Sequence, residues 1–228
     1  MSKTLNSAGA LYYSMGNLEN ALAYYNKSYQ YADRTKDLQT LMKNTTNMAV
    51  IYHSQTNISK AVEFFNIAMH LAKKISHMQG YMTICINLGI LYQDKGYFQK
   101  ASELFNETLS NARIYGAPYM ESIALTNLGD ISYYIGSYSD SVKILTEALN
   151  LSKTIEDIEG EAVNHIALAK VLLELDCLEE VLLHLESANG ILSSLENDDI
   201  LCDYYYFKVL YRLEINEISI ASAIRKMG

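Results

Sequence analysis

Asparagine recurs at a 40-residue interval in this chain, at Asn47, Asn87 and Asn127. A side-chain amide is both a donor and an acceptor, so it can pair with the N–H and C=O groups of a peptide of any sequence. Asparagine is also a mediocre helix former, because its amide competes for backbone hydrogen bonds, yet these three lie within helical patterns. Three explanations stay open: peptide binding, bonding among the asparagines or to an adjacent helix, and persistence after duplication.

Other side chains share the face that the asparagines mark. Residues three or four apart lie on the same side of a helix, so they extend the surface around each amide. The candidate peptide-binding residues are Lys43, Asn47, Val50, His53, Thr83, Asn87, Ile90, Asp94, Asn127, Asp130, Tyr134 and Lys170.

Signatures of catalysis and of metal binding are absent from the sequence. It contains no nucleophile motif, phosphate-binding loop, dinucleotide fingerprint or HExxH motif. Cys85, Cys177 and Cys202 are far apart and never form a CxxC pair, which indicates reduced core thiols rather than disulfides or a zinc site. His165 and His184 are expected on the surface or in the core. We therefore expect a protein that is not an enzyme and uses no metal or cofactor.

The net charge of −8 is distributed unevenly. Residues 1–80 hold 8 Lys/Arg against 4 Asp/Glu, residues 81–160 hold 5 against 10, and residues 161–228 hold 5 against 12. Binding of phosphate backbones needs clustered cations, and the basic end has only a modest excess, so nucleic acid is not expected as a partner. The charge is expected to be mainly solvated surface charge.

The whole sequence is organised by the same 40-residue period. Similar segments begin at Leu11, Ile51, Leu91, Ile131 and Val171 without insertions between them. Each segment carries two apolar stripes at helical spacing, which predicts two helices per repeat. The turn between them is predicted at a glycine or small polar residue, at Gly16, Thr56, Gly96, Gly136 and Asp176.

A column of small residues runs through the first helices. It consists of Gly9, Ala49, Gly89, Gly129 and Ala169. Helices approach to about 8 Å only where no bulky side chain intervenes. The column therefore predicts where the two helices of each hairpin cross.

This pattern resembles the tetratricopeptide repeat, and the third copy carries it most fully. Its matching residues are Leu88, Gly89, Leu91, Tyr92, Gly96, Phe98, Ala101 and Phe105. The resemblance covers residues 3–195 in five copies, although the common form of the repeat has 34 residues. The 40-residue version is similar to the repeats of kinesin light chain and of bacterial peptide-pheromone sensors.

The resemblance implies an all-α, right-handed superhelical solenoid of antiparallel helix pairs, whose first helices line a concave surface. The resemblance also implies that asparagines on this concave surface bind a peptide, as they do in those similar proteins. We expect one solenoid over residues 1–228, with repeats at about 2–40, 41–80, 81–120, 121–160 and 161–199. Residues 200–228 are expected to form a degenerate or truncated hairpin.

The expected function is a non-catalytic interaction scaffold that binds an extended peptide segment of a partner protein, or a short peptide, in its concave groove. A narrower version makes it the sensor part of a bacterial regulator. The alternative is an assembly module that forms a homodimer through apolar C-terminal helices at Ile218, Ile220 and Ile224. The sequence has no membrane span or secretory signal, so a cytoplasmic location without a membrane partner is expected.

Overall fold

The computed structural model describes residues 1–193 and 197–227, with side chains described as far as residue 216. Every regular element within these ranges is an α-helix. The helices are α1 (Ser2–Ser14), α2 (Leu18–Thr35), α3 (Leu38–Ser54), α4 (Ile58–Lys74), α5 (Met78–Asp94), α6 (Phe98–Tyr115), α7 (Pro118–Tyr134), α8 (Tyr138–Thr154), α9 (Ile158–Glu174), α10 (Leu178–Leu192) and α11 (Asp198–Met227).

The chain divides into two compact units, Met1–Asn111 and Ala112–Gly228. In the first, Phe65, Tyr81 and Leu91 are almost completely buried, and in the second Leu145 and Leu168 are. None of the helices in the described ranges has the length and hydropathy needed to cross a bilayer. The predicted all-α repeat fold is confirmed, whereas a single right-handed superhelix over residues 1–228 stays a prediction.

Each first helix ends where the sequence predicts. All five predicted turn residues adopt positive φ angles, and they are Gly16 (72°), Thr56 (58°), Gly96 (74°), Gly136 (79°) and Asp176 (58°). The next residue is the N-cap of the second helix, and the Asn17 and Asn57 side chains each accept a backbone N–H bond from the new helix. At these two turns a left-handed residue followed by a capping asparagine reverses the chain and satisfies an N–H group of the new helix. The N-caps of α8 and α10, Ser137 and Cys177, make no side-chain cap bond.

The small-residue column lies where the two helices of a hairpin cross. A Cβ atom at Gly89 would be 2.4 Å from Cε1 of Phe105, and one at Gly129 would be 2.6 Å from Leu145. Ala49 and Ala169, in the same column, are buried. The predicted close approach of the helices is therefore confirmed.

Buried polar side chains join neighbouring helices at two places. In the first unit, Asn44 is fully buried, accepts a bond from Asn6 Nδ2 at 2.7 Å and donates to Ser28 Oγ at 2.9 Å. In the second unit, Asn164 accepts from Thr126 Oγ1 at 2.8 Å and donates to Ser152 Oγ at 3.1 Å. These asparagines occupy one column of the repeat, three copies apart. Their hydrogen bonds compensate for the burial of their amide groups.

A histidine pair lies between α9 and α10. The Nδ1 atoms of His165 and His184 are 2.8 Å apart, so one ring must donate and the other accept. Burial lowers the pKa of His165 to about 4, with further contributions from His184 and Lys153. Burial also lowers the pKa of His184, although Glu180 opposes this. His165 is therefore a core residue, which was one of the two predicted places, whereas His184 is half-buried beside it.

Beyond residue 197 the structure differs from the expected hairpin, because α11 is one helix from Asp198 to Met227. Its first turns pack on the preceding hairpin through Ile200 and Tyr204, which are buried. The side chains of the proposed interface residues Ile218, Ile220 and Ile224 lie outside the described residues. That interface therefore stays a prediction.

We expect Gly89→Ala to destabilise the protein by about 1–3 kcal/mol, because the added methyl group overpacks the contact with Phe105. The matched control is Gly190→Ala on α10, where a Cβ atom meets nothing within 4 Å. The control should stabilise the protein by about 0.5–1 kcal/mol, because alanine loses less backbone entropy on folding. Urea unfolding measures both, and equal effects would contradict the close crossing.

The histidine pair predicts a pH-dependent stability. The folded pKa of His165, about 4, lies below the ordinary value of 6.5, so the unfolded chain binds more protons between these values. This stabilisation is present above pH 6.5 and is lost as the pH falls towards 4, on the order of 3 kcal/mol. Urea unfolding at several pH values should show this loss of unfolding free energy. In the double variant His165→Gln/His184→Gln, the part of the loss that the histidines cause above pH 5 should be absent. An unchanged slope in that variant would show that the pair is not responsible.

Candidate functional site

All twelve predicted site residues lie on first helices, and each side chain is exposed or half-buried. In the first unit, α3 carries Lys43, Asn47, Val50 and His53, and α5 carries Thr83, Asn87, Ile90 and Asp94. In the second unit, α7 carries Asn127, Asp130 and Tyr134, and α9 carries Lys170. We call the surface that these residues form within each unit the first-helix face. Within each unit the structure brings its members together on neighbouring helices.

The three asparagines are in different bonding states. The Asn47 side chain lies near the Tyr25 hydroxyl and opposes the rise that burial causes in the pKa of Tyr25. Asn127 Nδ2 donates to the Ile123 carbonyl one turn earlier, at 2.8 Å. Within the part of the chain that the structure describes, Asn87 makes no hydrogen bond, and its side chain is half-buried. Of the three amides, that of Asn87 is the one without such a contact among the described residues.

An open concavity of about 270 Å³ lies between α3 and α5. Its lining combines amides, hydroxyls and apolar groups with one lysine, and comprises Met42, Lys43, Thr46, Asn47, His77, Gln79, Gly80, Thr83 and Ile84. We call it the Lys43 concavity. Gly80 N donates to Nδ1 of the N-cap His77 at 2.9 Å, and a Cβ atom at Gly80 would lie 2.7 Å from that nitrogen. Glycine at position 80 therefore keeps this part of the Lys43 concavity open.

A second concavity, of about 380 Å³, occurs in the other unit between α7 and α9. Its lining includes the positions 80 residues further on, and comprises Tyr119, Ser122, Ile123, Thr126, Asn127, Asp130, Asp157, Glu159, Gly160, Val163, Asn197, Asp199 and Ile200. We call it the Glu159 concavity. Gly160 N donates to Asp157 Oδ1 at 3.1 Å, which repeats the capped glycine of the Lys43 concavity. Isoleucine at 123 replaces the lysine, and four carboxylates make this lining acidic.

Polar contacts connect the first helices within each unit. His53 Nε2 lies 2.9 Å from Asp94 Oδ2, which joins α3 to α5. Lys170 Nζ lies 2.7 Å from Asp130 Oδ1, which joins α7 to α9. The Lys170 ammonium also lies 4.3 Å from the ring centre of Tyr133. Asp130 thus has a cation already, so the charges of these two predicted site residues are largely neutralised within the protein.

Sequence reasoning missed the residues at the start of the neighbouring first helix. They are His77, Gln79 and Gly80 in the Lys43 concavity, and Asp157, Glu159 and Gly160 in the Glu159 concavity. Spacing along one helix cannot find them, because they lie on the next helix. Comparison of the repeats could have found them, since glycine recurs at the same column in alternate copies.

The chemistry of this surface is that of binding. Amides, hydroxyls and carboxylates lie beside apolar walls, a combination that both hydrogen-bonds and desolvates a ligand. Within the described ranges, no group of three or more His, Cys, Asp or Glu side chains could hold a metal ion.

Comparisons with known proteins support the resemblance. Residues 2–34 match the tetratricopeptide repeat family. A comparison with curated protein sequences found no match. Among solved structures, NprR in complex with its cognate peptide NprX is 20% identical with a TM-score of 0.70, over 96% of this chain and 63% of NprR.

Two further structures share the fold. Aspartyl phosphate phosphatase F from Bacillus subtilis is 13% identical with a TM-score of 0.82, over 96% of this chain and 57% of the phosphatase. The putative kinesin light chain repeats from Podosopora anserina are 15% identical with a TM-score of 0.66, over 86% of this chain and 96% of theirs. The chain thus spans less than two thirds of NprR and of the phosphatase. Residues 2–34 resemble the tetratricopeptide repeat family in sequence, and the helical hairpins of the chain share the fold of kinesin light chain repeats and of NprR.

Proposed function

We propose that this chain is a non-catalytic scaffold that binds an extended peptide segment along its first-helix face. The observation that carries the proposal is the recurrence of an open, polar-lined concavity with an asparagine on its wall in both units. An extended peptide leaves its backbone N–H and C=O groups without partners. Amide side chains at regular positions on a rigid helical face can supply them.

Asn87 is the strongest candidate for direct contact with the peptide backbone. Its amide makes no hydrogen bond within the described residues, whereas Asn127 bonds to the Ile123 carbonyl and Asn47 lies near the Tyr25 hydroxyl. Asn87 also lies one turn beyond Thr83, which lines the Lys43 concavity. A peptide could therefore use every donor and acceptor of the Asn87 amide, whereas one N–H of Asn127 is already occupied.

Charge gives the two concavities different preferences. Lys43 is exposed and has no ion-pair partner among the described residues, so the Lys43 concavity favours an acidic side chain or a C-terminal carboxylate. The carboxylate-lined Glu159 concavity favours a basic side chain. This difference selects among peptides, while the amides are indifferent to side-chain identity.

The similar proteins support a peptide as the ligand class. One solved structure is NprR with its cognate peptide, and another is a Rap protein complexed with competence and sporulation factor. By analogy, we propose that this chain is the sensor part of a bacterial regulator. The contacts His53–Asp94 and Asp130–Lys170 join neighbouring first helices, so a ligand that changes the spacing of these helices would also act on the contacts.

The test begins with selection of binders from a random heptapeptide library against the full chain. We expect Asn87→Ala to weaken the selected peptides by about 1–3 kcal/mol, the cost of leaving a buried backbone group without its partner. Fluorescence anisotropy gives the affinities. The melting temperature should stay unchanged, because Asn87 makes no bond in the free protein.

The matched control is Asn106→Ala. Asn106 is exposed on α6, and its amide bonds only to Ser102 of the same helix. This variant should bind the selected peptides as the wild type does. The proposal fails if the library yields no binder, if both variants keep full affinity, or if Asn87→Ala lowers the melting temperature markedly.

A further inference from the structure

A third concavity lies between α10 and α11, away from the first-helix face. It has a volume of about 250 Å³, and its lining includes Leu182, Leu185, Tyr204, Lys208, Tyr211 and Arg212. The α11 residues that face the first-helix side are others, namely Ile200, Asp203 and Phe207. The two surfaces are therefore on different sides of α11, and we call this one the α10/α11 cleft.

Comparison with the fifth repeat shows which element occupies the corresponding position there. One copy earlier, the corresponding residues of α9 are Leu168, Val171 and Leu172, which are 1%, 0% and 3% exposed. They belong to the same core cluster as Val181 and Leu185 of α10, the second helix of that repeat. A helix thus fills this position in the fifth repeat. After α11 starts at Asp198, it continues as one helix to Met227, so no described helix turns back to fill the α10/α11 cleft.

The residues of α11 are unsuited to an ordinary second helix. Val209 occupies the small-residue column and is 54% exposed, whereas Ala169 occupies it in α9. A valine there prevents the close crossing that the earlier hairpins use. Lys208 and Arg212 stand where α9 has Leu168 and Leu172, so two cations replace apolar core residues.

These cations determine which kind of helix would suit the α10/α11 cleft. Lys208 Nζ donates to the Tyr204 hydroxyl at 2.8 Å, which leaves two of its protons for other acceptors. Arg212 is exposed and has no ion-pair partner among the described residues. Residues 161–228 hold 12 Asp/Glu against 5 Lys/Arg, so a pair of cations lining one cleft is a local exception. Glu186 lines the α10 side, so an acidic edge of the bound helix should face α11.

We propose that the α10/α11 cleft docks an amphipathic helix of another protein, with an apolar stripe against Leu182 and Tyr211 and acidic side chains against Lys208 and Arg212. Leu182, which lines the cleft and is 40% exposed, supplies apolar surface for such a stripe. A basic helix is repelled by both cations. This docking is independent of peptide binding at the first-helix face.

The probe for this cleft is a labelled synthetic peptide with the sequence of residues 178–192, LEEVLLHLESANGIL. It has an apolar stripe and three glutamates, and a staple on its outer face holds the helix, because isolated helices of this length are marginal. The control peptide carries lysine at the three glutamate positions. Fluorescence anisotropy with the full chain should show the acidic peptide binding at least about tenfold more tightly than the basic one.

A charge swap identifies the site. Lys208→Glu/Arg212→Glu should weaken the acidic peptide about tenfold or more and strengthen the basic one. The control variant Lys27→Glu/Lys95→Glu makes the same change in net charge at exposed positions of the first unit and should leave both affinities unchanged. Circular dichroism confirms that the variants fold.

Three results would overturn the proposal: no binding of the acidic peptide, equal binding of the two peptides, or an equal effect of the two double variants. Sedimentation of the full chain without peptide provides the fourth criterion. A dimer that Lys208→Glu/Arg212→Glu dissociates would mean that a second copy of this chain occupies the cleft, and docking of another protein would then be rejected.

Discussion

The close crossing of the two helices in each hairpin is the constraint on which the rest of the structure depends. At Gly89 even one methyl group would lie 2.4 Å from the ring of Phe105, so the helices are in contact at that point. A fixed crossing point sets which side of the first helix is buried against its partner. The opposite side of the first helix is then left free of its partner, and for this reason residues 40 apart in sequence share one face on the neighbouring first helices within each unit.

Repetition of that geometry lets one column of the sequence have different roles in different copies. Asn44 and Asn164 are buried and fully bonded within the protein, whereas the corresponding positions between them are Ile84 and Ala124. In another column, Asn87 is half-buried and unbonded within the described residues, while Asn127 bonds to the Ile123 carbonyl. Residue type and period therefore identify candidates, but the bonding state separates an amide that stabilises the fold from one that is available to a ligand.

Much of the fold and the location of the candidate face could be predicted from the sequence, because helix period, turn residues and the small-residue column are local properties. The positive φ of Thr56 and Asp176 followed from their place in the repeat alone. The ion pair Asp130–Lys170 and the proximity of Asn47 to Tyr25 could not be predicted, since they depend on side-chain conformations across a helix interface. The single helix α11 was also missed, because its sequence departs from the repeat that carried the prediction.

Polar contacts between neighbouring first helices use a few fixed offsets. Asn6–Asn44 and Thr126–Asn164 are 38 residues apart, and Tyr133–Glu174 are 41 apart. Each contact removes two polar groups from the set that a ligand can use, and it does so without changing the helix that carries them. Ligand selectivity can therefore change by pairing or unpairing residues between adjacent repeats while every hairpin keeps its crossing. Under the proposed function, Lys43, which has no ion-pair partner among the described residues, and Asn87 are then the groups expected to contact a bound peptide.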